Sequence, residues 1–428
     1  MTRAIVVSID GFASFYWTDP RVKIPTLRGL AERGVVADGM ETVFPSTTWP
    51  THVSIVTGVR PIVHGVVGNG IVNRDTRARE DLTGDPVYDA SRIIKAPTVY
   101  DRAASRGLAV AAIDWPATRN AGSIRFNLPF FKDQRVFESQ TARHVWEELS
   151  ALGYPVERQG EWAQLPKRFL KDAMVADLAA HVVRRHTPDV LLVHFLCTDS
   201  FQHLYGPRSP EAYWAIEYVD GLLGRFLGSL PAGALDDQTA LFVVSDHGFL
   251  PVEHEIRINV ALRRLGVLQV DGSALTGDAR FAMNAGAGYV YALGGDRPRL
   301  AADLSRELIK IEGVKTVWSV DRYRELGLPT PDENPLVGDL ALEAQRGYYF
   351  VDEALGDEVI APPHYRGTHG YLPTEPENRA FFLAAGAGIA RGKALGPILS
   401  RDVAPTIAQT LGFEMPDVEG RTLAEAFA

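Results

Sequence analysis

The chain of 428 residues has a single cysteine, Cys197. That excludes an internal disulfide framework and any zinc site built from several thiolates. No run of about 18 apolar residues occurs, so no membrane-spanning helix and no membrane partner are predicted. Cations are not in excess: 44 Lys and Arg stand against 53 Asp and Glu, a formal charge of −9. A nucleic-acid polymer, whose backbone demands clustered cations, is therefore not an expected partner. A small phosphate held by metal ions is compatible with the same balance. Internal repeats and low-complexity tracts are also missing. The first three residues, Met-Thr-Arg, pass directly into the apolar run 4–9, which is too short for the core of a signal peptide. The cytoplasm is the expected location, and a homodimer is the base-rate expectation for assembly.

What the sequence does have is an ordinary globular composition, 46% apolar and 23% charged, which excludes wholesale disorder. Short, β-branched apolar runs recur, each ending in a polar or glycine turn. Run 4–9 ends at Asp10-Gly11, 108–113 at Asp114-Trp115-Pro116, 190–196 at Cys197-Thr198-Asp199, 239–244 at Ser245-Asp246-His247-Gly248, and 381–385 at Gly386. Amphipathic stretches at 24–33, 98–106, 172–185 and 213–227 lie between them. Near-continuous apolar strands alternating with helices predict an α/β fold, with a mostly parallel central sheet flanked by helices. The texture changes over 257–352, where a strand (285–293), a helix (300–311), a strand (313–320) and a two-stranded piece (338–351) predict a small α+β insertion. The core is then 1–256 and 353–428, with 380–384 returning to the parallel-sheet style. Stretches 66–96 and 120–170 lack periodicity and read as loops or caps over the site.

In open parallel sheets, ligands bind beyond the carboxyl ends of the strands. Asp10, Asp199, Asp246 and His247 occupy such ends. A lone Asp there is more often a turn former or helix cap; three at equivalent strand ends, two of them with a histidine, weigh toward chemistry. In Asp199-Ser-Phe-Gln-His203 the two outer residues share one helical face and can grip one metal ion, although such pairs also occur as surface contacts. Asp246-His247-Gly248 offers a second pair, with glycine permitting close approach, and Gly367-Thr-His369-Gly370 adds a third histidine. Around Pro45-Ser-Thr-Thr48-Trp-Pro50 a helix is predicted to start near Thr48 and to stop at Gly58. A hydroxyl at that start meets the positive end of the helix dipole, which favours an alkoxide and a bound phosphoryl oxygen. The bland alternative is a capping threonine, and the spacing to Pro50 favours Thr48 over Ser46 or Thr47.

Together these segments resemble the alkaline phosphatase superfamily, and within it the nucleotide pyrophosphatase/phosphodiesterase branch. Pro45-Ser-Thr-Thr48-Trp-Pro50, Thr57-Gly58, the stretch from Pro61 through His64-Gly65 to Asn69, and the three metal motifs match in order and type. The resemblance implies an alkaline phosphatase-like core with two divalent metal ions. Asp199, His203 and His369 would hold one; Asp10, Asp246 and His247 would hold the other, which also contacts Thr48. Zinc suits this donor set, and manganese or iron tolerates it. The implied reaction is hydrolysis of a phosphate diester or pyrophosphate, nucleotides included, through a phospho-threonine on Thr48. Asn69 and the backbone N–H of Trp49 would stabilise the phosphoryl oxygens, and the Trp49 ring would stack on a base or aryl group or else belong to the core. His52 and His64 read as structural residues of the nucleophile loop, and Asp114-Trp115-Pro116 as lining of the substrate pocket. Arg366 is a candidate phosphate contact. Two departures leave nucleotide specificity open: Thr51 replaces the Asn common in the family, and His194 stands where the family carries a base-stacking Tyr. The alternatives share the core. A phosphonoacetate hydrolase needs cations near Thr48, and the motifs offer no lysine; a phosphomonoesterase needs extra donors; a metal-binding protein without catalysis would have lost a ligand or the nucleophile. The expected partner is a small phosphate- or phosphonate-containing substrate.

Overall fold

The computed structural model describes residues 2–84, 88–272 and 274–428. Six strands of one sheet form in the first part of the chain: β1 (Arg3–Ile9), β2 (Gly34–Ala37), β3 (Val110–Ile113), β4 (Phe126–Leu128), β5 (Val190–Phe195) and β6 (Thr239–Val244). After β7 (Leu250–Arg257) come β8 (Ala279–Asn284), β9 (Ala287–Ala292), β10 (Val314–Ser319), β11 (Leu340–Ala344) and β12 (Gly347–Val351). The first sheet is then completed by β13 (Phe382–Gly386) and β14 (Lys393–Leu395). Its order is β14-β2-β13-β6-β1-β5-β3-β4. The five strands from β4 to β6 run parallel, whereas β13 is antiparallel to both β6 and β2. The apolar character of 381–385 reports burial on both faces but not direction, so its expected parallel style is corrected here.

The period of two along β1 explains why its run is apolar throughout. Ile5, Val7 and Ile9 enter one core layer, while Ala4 and Val6 enter the other. The first layer is closed by helices α1 (Pro25–Glu32), α4 (Arg143–Ala151), α5 (Arg168–His186) and α7 (Pro210–Gly228). The second is closed by α2 (Thr48–Thr57), α3 (Val99–Ala104) and α9 (Val403–Thr410). α6 (Cys197–Tyr205) follows β5 directly, and α8 (Arg297–Leu308) lies in the second sheet's region.

Residues 279–344 form a four-stranded antiparallel sheet in the order β8-β9-β11-β10, with Leu304 and Leu308 of α8 packed on one face. Its other face meets the segment that leads into α2: Ala282, Tyr289 and Tyr291 share a cluster with Phe44, Trp49 and Val53. The expected two-stranded piece at 338–351 divides instead. β11 joins this sheet, and β12 leaves it to pair in parallel with β7. Of the stretch 66–96, residues 85–87 lie outside the described residues; the remainder includes a short hairpin, Gly70–Val72 with Arg79–Asp81. The stretch 120–170 is more regular than expected, since it contains β4 and α4. Their short length hid both from a periodicity reading.

Candidate active site

Four strand or helix ends converge at the carboxyl edge of the parallel strands. Asp10 follows β1, and its N–H donates to the Phe195 carbonyl at 2.9 Å, which ties it to the adjacent strand end. Asp199 and His203 lie one turn apart on α6, with His203 Nε2 3.2 Å from Asp199 Oδ1. Asp246 and His247 follow β6, and His247 Nε2 is 3.2 Å from Asp246 Oδ2 and 3.4 Å from Asp10 Oδ1. His369 arrives from the far end of the chain, with Nε2 3.8 Å from Asp199 Oδ1 and its ring stacked on His247 at 3.5 Å between centroids.

The donor atoms fall into overlapping groups. Asp199, His203 and His369 bring one ligand atom each within 4.8 Å of one another, and so do Asp10, Asp199 and His247. Asp199 therefore stands between the two groups that the motifs separated. Asp246 touches His247 and is also grouped with His52 and His194.

Two observations show that these residues fit divalent cations. The buried Asp10 Oδ1, Asp199 Oδ1, Asp246 Oδ2 and His247 Nε2 have no hydrogen-bond partner among the described residues, an arrangement that burial penalises unless a cation satisfies it. Three imidazoles of these groups are also oriented through their other nitrogen. His203 Nδ1 meets the Gly367 carbonyl at 2.9 Å, His247 Nδ1 the Gly248 carbonyl at 3.1 Å, and His369 Nδ1 the Ser46 carbonyl at 3.1 Å. A carbonyl only accepts, so Nδ1 carries the proton and Nε2 presents a lone pair.

The electrostatics agree. Burial lowers His247 to about 4 and depresses His369, so both rings are neutral at pH 7. Burial, reinforced by the charges of Asp246 and Asp199, raises Asp10.

Thr48 opens α2 and is half-buried. The helix ends where Gly58 adopts φ +75°, its N–H donating to the Ser54 carbonyl at 2.9 Å. His52, one turn along, bonds the Thr48 carbonyl through Nδ1 at 2.8 Å and Ser8 Oγ through Nε2 at 2.9 Å. Its Nδ1 is also 3.7 Å from Asp246 Oδ2, so it links the Thr48 turn to the carboxylate cluster. His64 bonds Ser54 Oγ at 2.9 Å and accepts from the Val66 N–H at 3.1 Å. The Trp49 N–H donates to Asn69 Oδ1 at 2.9 Å, which leaves the Asn69 amide nitrogen as the donor facing the site.

His194 is buried behind the site, with Nδ1 at 3.2 Å from the Asp114 carbonyl and Nε2 at 3.2 Å from Asp10 Oδ2. With Nδ1 given to that carbonyl, Nε2 makes no hydrogen bond to Asp10, and the ring, 1% exposed at the cavity wall, offers little surface to a base. Asp114, Trp115 and Pro116 line a cavity of about 460 Å³ that also contains Thr48, Asn69 and Asp199. Arg366 is exposed and outside that cavity; its neighbour Tyr365 lines it, ring 4.7 Å from His203.

Four contributing residues carry no motif. Asn284, at the end of β8, accepts the Asn69 N–H at 2.6 Å and the Gly70 N–H at 3.1 Å, and donates to the Gly70 carbonyl at 3.0 Å. Asp172 accepts from the Leu196 and Cys197 N–H groups at 2.9 and 2.8 Å, at the start of α6. Lys171 neutralises Asp114 at 2.9 Å in full burial. Arg168 reaches Asp199 Oδ2 at 3.5 Å and Ser200 Oγ at 3.2 Å. The only sequence signal for the last three was the polar start of an amphipathic helix.

The family described as type I phosphodiesterase/nucleotide pyrophosphatase matches residues 4–372. An uncharacterised pyrophosphatase/phosphodiesterase of Schizosaccharomyces pombe is 26% identical over 423 residues, spanning 93% of this chain and 74% of that protein. Human ectonucleotide pyrophosphatase/phosphodiesterase family member 1 is 26% identical over 246 residues, 57% of this chain and 23% of that protein. The chain thus matches about a quarter of the length of the human protein. Among solved structures, murine ectonucleotide pyrophosphatase/phosphodiesterase 5 superposes with a TM-score of 0.72 at 19% identity, covering 100% of both chains. An inactive threonine-to-alanine variant of that murine protein, in complex with AMP, gives the same TM-score of 0.72 at 18% identity.

Proposed function

The chain belongs to the type I phosphodiesterase/nucleotide pyrophosphatase family, and on that premise we propose that it hydrolyses phosphate diesters or pyrophosphates at the Asp10–Asp199–Asp246 site with Thr48 as nucleophile. The observation that carries this reading is the convergence of partnerless buried carboxylate and imidazole atoms beside a threonine at a helix start. Asp199, His203 and His369 would hold one divalent cation and Asp10, Asp246 and His247 the other, Asp199 lying between them; zinc suits the donors. Bound there, the cations supply Lewis acidity that favours ionised Thr48 and offsets charge on the phosphoryl oxygens.

Thr48 Oγ1 attacks phosphorus, the bond to the opposite oxygen breaks, and the substrate's leaving group departs toward the Asp199 end. Water then attacks the phospho-threonine from that same side, releasing the phosphoryl group and restoring the hydroxyl. Asn69, held by the Trp49 N–H on one side and Asn284 on the other, keeps an amide donor aimed at a phosphoryl oxygen. His52 steadies the Thr48 turn. An AMP complex of the murine structural neighbour supports a nucleotide among the substrates. Because Arg168 lines the cavity, a phosphonate bearing a carboxylate is the second reading.

The test is a rate comparison on zinc-loaded protein between bis-p-nitrophenyl phosphate and p-nitrophenyl phosphate. Diester preference, lost by at least about 1,000-fold in Thr48→Ala, is the expected result. Preference for the monoester, or a Thr48→Ala variant as active as the parent, would overturn it.

A further inference from the structure

Arg168 opens α5 with a side chain only 10% exposed, in the wall of the reaction cavity. Its Nε donates to the Ala163 carbonyl at 3.1 Å, and Nη1 faces Ser200 Oγ at 3.2 Å and Asp199 Oδ2 at 3.5 Å. Its Nη2 has no partner among the described residues. That nitrogen is not one of the fully buried unpaired atoms, so it keeps access to the cavity, where a largely shielded guanidinium favours an anion. The one carboxylate within ion-pair distance of it, among the described residues, is Asp199. That contact is long, and it uses the Asp199 oxygen opposite the one facing His203 and His369. The nearby Asp114 is already answered by Lys171 at 2.9 Å. Arg168 therefore keeps a hydrogen-bonding edge for something not in the chain.

The position specifies what that is. Thr48 sits on the Asp246 side of the site, through His52, while Arg168 sits against Asp199 at the other end. In an in-line displacement the departing group lies opposite the nucleophile, and so toward Arg168. Lys132 and Arg119 line the same cavity, and the Phe130 ring lies 5.5 Å from the Arg168 guanidinium. We infer that Arg168 is the anchor of an oxyanion subsite for the leaving group, so that the preferred substrates carry a second negative group, phosphate or carboxylate, beyond the phosphorus that Thr48 attacks. A planar guanidinium suits either by paired N–H donation. This inference rests on the hydrolase reading above.

The test compares Arg168→Ala and Arg168→Lys with the parent, zinc-loaded, on three substrates. A nucleoside triphosphate releases pyrophosphate, phosphonoacetate carries a carboxylate, and bis-p-nitrophenyl phosphate has no second anion. In Arg168→Ala, the ratio of kcat/KM for the anionic-tailed substrate to that for the aryl diester falls by about 10- to 100-fold, mainly through KM. Arg168→Lys restores part of the ratio, and the responding substrate identifies the tail as phosphate or carboxylate. An equal loss on all substrates would overturn the inference, because it would leave Arg168 only as a support for Asp199. Calorimetric titration of the zinc-loaded proteins with inorganic pyrophosphate and with phosphonoacetate separates the two readings. If neither ligand binds more weakly to Arg168→Ala, the subsite is refuted even where hydrolysis stands. If either binds in an Arg168-dependent way without turnover of any of the three substrates, the hydrolase reading fails and Arg168 is left as an anion-binding site with no leaving group to serve.

Discussion

At His203, His247 and His369 the position of a single hydrogen decides what the ring can do. Each Nδ1 lies against a backbone carbonyl, so each Nε2 lone pair points at the carboxylates without rearrangement. Asn284 performs a comparable service for Asn69, since its side-chain oxygen accepts the Asn69 and Gly70 N–H groups together. Asn284→Ala is expected to lower kcat/KM on bis-p-nitrophenyl phosphate by about 10- to 100-fold, through misplacement of the Asn69 amide. Rates within twofold of the parent in a variant with an unchanged circular dichroism spectrum would reduce Asn284 to a packing role. Asp10, Asp199 and Asp246 were legible because each follows a β-branched run, where a parallel sheet puts its ligands. Asn284 was not: an Asn at the end of a strand in a distant segment has no local pattern, and its partner lies 215 residues away in sequence.

At the scale of elements, α5 is the busiest. Its first turn brings Arg168, Lys171 and Asp172 to the site, and its last turns bring His181 and His186 to Glu148 of α4, with Nε2 to Oε1 distances of 2.6 and 2.8 Å. Asp172 closes the start of α6, the helix that carries Asp199 and His203, by accepting its leading N–H groups. Asp172→Ala would leave those buried donors unpaired, and a loss of about 2–4 kcal/mol in urea unfolding is expected. A change below about 0.5 kcal/mol would mean that water replaces the carboxylate. The buried strands β1, β5 and β6 and the long helices were readable because their periods differ and their runs are long. β7 was not, because its Pro251, Glu253 and Glu255 break the apolar run. The direction of β13 was hidden for another reason: buried parallel and antiparallel strands select the same side chains.

Across the whole molecule, the C-terminal loop is tied back to the end of α2, the helix that Thr48 opens. Glu419 accepts the Arg60 N–H at 2.8 Å and its guanidinium at 2.7 Å. Burial alone would raise this carboxyl, but the Arg60 contacts outweigh burial and hold it below its usual value of 4.5. A depressed carboxylate adds stability above its unfolded-state value, and that stability is lost as pH falls through the folded-state value. The parent should therefore exceed Glu419→Gln by about 0.5–1 kcal/mol at pH 7, the pair being partly solvated, and the gap should close as pH falls below 4.5. Thermal unfolding across that range checks it, and a gap independent of pH would assign the effect to packing. The sheet formed by β8 to β11 carries a separate consequence. It lines the cavity through Met283 and Asn284, packs against Phe44 and Trp49, and supplies the clamp on Asn69. A chimera that exchanged residues 257–352 for those of a relative would alter selectivity and catalytic competence together, so this segment cannot drift freely as an interchangeable module while the metal-site residues stay fixed.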